Sequence, residues 1–310
     1  MLLFGAAPVW FVSAWPAALG ALGLVALLGI FYLILSFALP KVAAIALTTA
    51  KAALAHPLFW VELLIGAVLL ILIFPFVPYY TFGEDVKMLK DSGLTLILVL
   101  SIILTLWTSS TSIAEEIEGR TALTLLSKPI RRWQFIIGKF LGILAPAALM
   151  FIALGFVFLV SVSYKLGYDA VETSNPPPTA EICQAEMLQI LPGLALAFLE
   201  TVVLTAISVA ISTRLPMMAN LMICSAIYVL GHLLPPIVQS SVGRFPIVRF
   251  MGVLIATILP NLDYFNIQAV IAAGGVVPLS YLGGVALYCL LYSGMALIVA
   301  LLLFDDRDLA

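Results

Sequence analysis

Charge is what this sequence has least of. Only 10% of its 310 residues are Asp, Glu, Lys or Arg, and the formal net charge is −2. No block of basic residues is present, so the electrostatic footprint of a nucleic-acid binder is missing. Cysteine is scarce too. Cys183, Cys224 and Cys289 form neither a disulfide framework nor a metal-ligand spacing. The two histidines, His56 and His232, stand alone in their segments, and no metal site is read. His232, beside Gly231, reads as a structural residue rather than a ligand. No H-E-x-x-H or G-x-S-x-G occurs, so the zinc-hydrolase and serine-hydrolase patterns are absent. No G-x-x-x-x-G-K-[ST] occurs either. The one Gly-Lys, Gly138-Lys139, is followed by Phe140 and opens an apolar run, so it cannot cradle phosphates for nucleotide hydrolysis. Met1 to Pro16 has no positive charge and lacks the n-region of a secretory signal, so it reads as mature sequence.

Apolar residues fill the rest. They make up 64% of the chain, and the mean hydropathy is +1.20. No soluble domain hides that much apolar surface, so lipid must be its solvent. A helix needs ~20 apolar residues to cross the hydrocarbon. Runs of that order lie at 17–39, 57–78, 94–113, 141–164, 189–212, 217–239 and 282–304. They are too long for barrel strands, which predicts an all-α, polytopic integral membrane protein. Its solvent is membrane lipid.

Loop charge sets the orientation. Lys41, Lys51, Arg120, Lys128, Arg131, Arg132, Lys139, Arg214 and Arg307 fall on one side. Lys87, Lys90, Lys165, Arg244 and Arg249 fall on the other. The richer side is assigned to the cytoplasm, which places the C-terminus there and the uncharged N-terminus outside.

Several segments between the runs have their own reading. Residues 41–56, bracketed by Pro40 and Pro57, have a helical pattern with Lys41, Thr48 and Lys51 on one side. They predict an amphipathic elbow lying at the interface, with a cytosolic extension of the next span as the alternative. Residues 166–188, with Pro176 to Pro178, read as an exposed, partly ordered external loop. Residues 250–277 hold two short apolar pieces split by Pro260-Asn261-Leu262-Asp263, which reads as a re-entrant hairpin, with one more span as the alternative.

Two acids fall within the spans. Glu62 is expected to snorkel to the cytosolic headgroups. Glu200, mid-span, must face protein or a water-filled path. It is a candidate for the translocation path, and a purely packing role stays open.

The densest charge lies at 112–139, with three acids and five bases between two spans. Glu115, Glu116 and Glu118 precede Thr121, a plausible cap for a short helix carrying Ala122, Leu123, Leu125 and Leu126. Ser127-Lys128-Pro129 stops it. Arg131, Arg132 and Trp133 fit the headgroup layer. Spacing alone leaves two readings open: a projecting amphipathic helix offered to a partner, or membrane anchoring by bases with solvated acids.

The pattern Ser112-Ile113, Glu116, Glu118, Thr121, Leu125-Leu126, Pro129, Arg132, Gly138-Lys139 resembles the signature loop of type-2 ATP-binding cassette (ABC-2) permeases. Six spans from residue 41 onward and a terminal Phe304…Arg307-Asp308-Leu309 are similar to that family too. Arg120 departs from the pattern, since many members have Gly there and this chain has Gly119. The resemblance implies residues 41–310 as a six-helix ABC-2-type permease core and residues 1–40 as an extra N-terminal span. It implies that Glu116, Glu118, Arg120, Thr121, Leu125 and Leu126 couple to an ATPase. Lys128, Arg131, Arg132, Trp133 and Lys139 would then seat the segment at the membrane.

By the same resemblance, ATP would be bound by a separate ABC ATPase subunit, and this chain would need no cofactor. It would be a permease, most simply an exporter, working as a homodimer or heterodimer in a bacterial inner membrane. An ion-coupled carrier using Glu200 and a membrane scaffold that moves nothing are the other readings. Nothing selects a substrate.

Overall fold

The computed structural model describes residues 9–76, 85–114, 130–174, 176–239, 247, 250, 252, 254–255 and 258–305. α1 (Val9–Ala38) is apolar all round and leaves most of its large side chains exposed, as a lipid-facing helix does. Proline then opens α2 (Pro40–Ala55) and α3 (Pro57–Val68), where its missing N–H costs no helical bond. His56 is extended between them, and its Nδ1 accepts the Leu58 N–H at 3.2 Å. α3 runs on through a π turn, Leu69–Ile73, and meets α2 at 61°.

α4 (Asp85–Ser109), α5 (Arg132–Glu172) and α6 (Ala180–Ser212) form the buried heart of the bundle. α7 (Met217–Gln239) returns from α6 after the tight turn at 213–216. A 3-10 turn (Leu262–Phe265) and α8 (Gln268–Ala272) follow, and α9 (Leu279–Asp305) lies along α6. No strand occurs among the described residues. Among the described residues, five helices are long and apolar enough to cross a membrane, and the bent α2–α3 pair makes a sixth if counted as one span. The fold is all-α and polytopic.

α2 packs chiefly on α5. Its buried face is Val42, Ala43, Ile45, Ala46, Thr49, Ala50 and Ala53, mostly small residues at helical spacing. α5 answers with Gly138 and Gly142. A Cβ on Gly142 would sit 2.7 Å from the Ala46 carbonyl oxygen, so glycine is what lets the two backbones meet.

Three expectations differ from the structure. Residues 166–188 are mostly helix, because α5 continues to Glu172 and α6 starts at Ala180. The polar residues there pair instead of forming a loop. Lys165 Nζ lies 2.9 Å from Asp169 and 3.3 Å from Asp85, and Lys90 bonds Glu186. Among the described residues the helix breaks only at 173–174 and 176–179, around the prolines, and Thr179 Oγ1 caps α6 by accepting the Ile182 N–H. α5 has 41 residues and is therefore about 60 Å long, twice the ~30 Å hydrocarbon thickness, so its ends project beyond the bilayer.

Glu62 does not snorkel. It is 4% exposed, because the buried stripe of α3 is Phe59, Glu62 and Gly66. Neither carboxyl oxygen has a hydrogen-bond partner among the described residues.

Lys139 is the third. Expected at the headgroups, it is buried and points at a protein carbonyl.

In the 250–277 segment, no described helix is long enough to cross. Asn261 Oδ1 accepts the Asp263 N–H at 3.2 Å, and Leu262, Phe265, Ile267 and Ile271 are buried. Thr95 Oγ1 donates to Gln268 Oε1 at 2.9 Å, tying α8 to α4.

Candidate functional site

Residues 115–129 lie outside the described residues, and with them Glu116, Glu118, Arg120, Thr121, Leu125, Leu126 and Lys128. The two stems that lead into and out of this segment are described.

The incoming stem is the end of α4. Past Ser109 it runs straight on into a π turn, Ser110–Ala114. Hydroxyls that bond back onto the helix accompany this widening. Ser110 Oγ donates to Leu106 O at 2.7 Å, and Thr111 Oγ1 to Trp107 O at 3.0 Å.

Asn220, in the first turn of α7, sits against this stem with no solvent exposure. Its Nδ2 lies 2.7 Å from Ser110 Oγ, 2.8 Å from Ser208 Oγ and 2.9 Å from Ser212 Oγ. An amide has two such hydrogens, so one is shared between two acceptors. Its Oδ1 accepts from Cys224 Sγ at 3.3 Å, and Ser109 Oγ lies 3.3 Å from Ser212 Oγ. One buried amide thus fastens the ends of α4, α6 and α7.

The outgoing stem is the start of α5. Arg131 is exposed and its N–H donates to Gln134 Oε1 at 3.0 Å, closing the first turn. Arg132 and Trp133 are half-buried. Phe135 stacks on Phe304 of α9 at 5.6 Å between ring centroids. Lys139 Nζ donates to Ser112 O at 2.9 Å and lies over the Phe135 ring. The π turn leaves Ser112 O available near the end of α4, and the ammonium takes it. Lys139 therefore joins the two stems to each other.

Glu200 lies elsewhere, at mid-bundle, and is 1% exposed. Sequence reading found no partner for it, and the structure supplies His232 of α7. His232 Nδ1 faces the Tyr228 carbonyl at 3.1 Å, which can only accept, so Nδ1 carries hydrogen. Its Nε2 faces Glu200 Oε1 at 3.4 Å. Oε1 holds no hydrogen bond, so the contact is an approach rather than a formed bond.

The Asn220 cluster was missed as well. Its signal was present in the serine pairs at Ser109-Ser110 and Ser208/Ser212. Hydroxyls four residues apart on an apolar helix need an interhelical partner or their own backbone.

Residues 79–309 match the family model described as "ABC-2 family transporter protein". No curated protein matches the chain. α1, α2 and α3 precede the matched region, which takes in both stems, the Asn220 cluster and Glu200. Since the match covers most of its length, this chain belongs to the ABC-2 family and is a multi-pass membrane permease component of an ABC transporter, not its ATPase.

Proposed function

We propose that this chain couples ATP hydrolysis by a separate ABC ATPase subunit to export of a substrate, through residues 114–127. The observation that carries the reading is the joining of the two stems. Lys139 ties the end of α4 to α5, and Asn220 ties the same end to α6 and α7. A push on the segment between the stems would move four helices together rather than fray one. Glu116, Glu118, Arg120, Thr121, Leu125 and Leu126 are the contacts we assign to the ATPase. Lys128, Arg131, Arg132 and Trp133 are assigned to the cytoplasmic headgroups. Glu200, with His232, is assigned to the translocation path. A single six-span core supplies half a pathway, so two permease chains would meet, as a homodimer or heterodimer, with two ATPase subunits. α2 is read as the interfacial elbow, and its 61° turn into α3 supports that reading. The setting is a bacterial inner membrane with the C-terminus in the cytoplasm.

The test is the ATPase rate of the purified complex in lipid. Leu125→Ala and Glu118→Ala should uncouple ATP turnover from substrate movement while the complex still assembles. Unchanged turnover and transport in both variants would remove the assignment.

A further inference from the structure

Beside the stems lies a cavity of about 270 Å³, bounded by α2, the α2–α3 corner, the end of α4 and α5. Its volume is far above the ~30 Å³ share of one water. We propose that this cavity is a phosphate site, holding the phosphate of an anionic lipid headgroup or free phosphate between the elbow and the stems of residues 115–129.

The chemistry of the lining points to an anion. Among its residues are Thr49, His56, Trp107, Thr111, Ser112 and Lys139. Trp107 Nε1 only donates, and it is buried without a hydrogen-bond partner. The hydroxyls of Thr49 and Ser112 are buried and unpartnered in the same way. Thr49 itself is 3% exposed, so open solvent does not serve it. Such groups are short of a partner, and an acceptor brought against them would relieve that.

His56 adds a fourth donor. Its Nδ1 accepts the Leu58 N–H, so in the neutral ring the hydrogen sits on Nε2. The His56 ring lies 6.1 Å from that of Trp107, centroid to centroid. Lys139 brings positive charge and reaches the Ser112 carbonyl. No Asp or Glu occurs among the described lining residues. The threonine and serine hydroxyls of the lining serve water as well as an anion, but Trp107 Nε1, the His56 Nε2 hydrogen and Lys139 only donate, which suits a phosphate oxygen.

The site's place gives it a role. Thr49 and His56 come from the elbow and its corner, Trp107 and Ser112 from the incoming stem, and Lys139 from the outgoing one. A phosphate held by all of them would lock the elbow to the stems. The proposal takes from the reading above only that this end of the bundle meets the headgroup layer.

The test is equilibrium titration of the purified full chain in detergent with three probes. These are dihexanoyl phosphatidic acid, inorganic phosphate and dihexanoylglycerol. Saturable binding of phosphatidic acid is expected, weakened about tenfold by Trp107→Phe and by Thr49→Val, each of which removes one bond to a charged group. Inorganic phosphate binding as tightly would make free phosphate the ligand. Phosphatidic acid binding alone would make it a lipid. The idea is overturned if neither binds, or if dihexanoylglycerol binds as tightly as phosphatidic acid. It is overturned equally if the two variants keep parental affinity with parental elution and thermal unfolding. Ser112→Ala is the further variant should either fail to fold. No ATPase takes part, so a negative result here leaves ATPase docking untouched, and failed docking leaves this result standing.

Discussion

Asn220 carries more of the joint than any other side chain. Its amide serves three serine hydroxyls, one at the end of α4 and two on α6. Asn220→Ala leaves those hydroxyls buried and short of a donor, and should lower stability by about 1–3 kcal/mol. Thermal unfolding in detergent measures that cost. Glu200 belongs to the same scale. Glu200→Gln keeps the shape and removes the carboxyl that faces His232, so transport should fall while assembly persists. Full transport by a normally assembled Glu200→Gln complex would reduce the residue to packing. Glu200 was legible as an anomaly because an acid in an apolar run must face something. Its partner was not, although the hairpin geometry contains it. Glu200 lies ~20 Å before the 213–216 turn and His232 ~24 Å after it by helical rise, so an antiparallel pair brings them to similar depth. Which faces meet is a matter of helix rotation, and an apolar sequence carries no period to fix it.

At the scale of elements, the α2–α5 crossing is the tightest test. Gly142→Val puts a branched side chain where the Ala46 carbonyl already sits, at 2.7 Å for the first carbon alone. Overpacking of that kind costs about 1–3 kcal/mol, and here it should also loosen the elbow from α5. Increased protease cleavage near residues 39–57, with lowered thermal stability, is the expected outcome. The helical runs themselves were readable from length and apolarity. Their ends were not, because polar residues at 165–186 look like loop until their partners are known. Lys165 illustrates the point. In sequence it is an external loop cation, and in the fold it is 3% exposed between Asp85 and Asp169. Lys165→Ala should destabilise by about 1.5–3 kcal/mol, since it strands carboxylates that are partly out of water. Added salt should change that loss little, because Lys165 is buried away from solvent ions.

For the whole molecule, the two ends of the bundle are built differently. The end bearing 173–179 is clamped by ion pairs between α4, α5 and α6. Among the described residues, the end leading to 115–129 shows hydroxyl pairs, the Asn220 amide, the Lys139 bond to Ser112 O and a cavity. The family was legible from the charged stretch at 112–139 and from the count of apolar runs. The joint behind that stretch was not, because it depends on side chains about a hundred residues apart in sequence, such as Ser110 with Asn220 (110 apart) and Ser109 with Ser212 (103 apart). The most direct test of coupling through this end is a photoreactive residue placed at Leu125 in the assembled transporter. The account predicts a covalent adduct with an ABC ATPase chain, formed from the cytoplasmic face and altered by nucleotide. An assembled, active transporter that yields no such adduct, or a Leu125 position reached only by reagents on the opposite face, would contradict it.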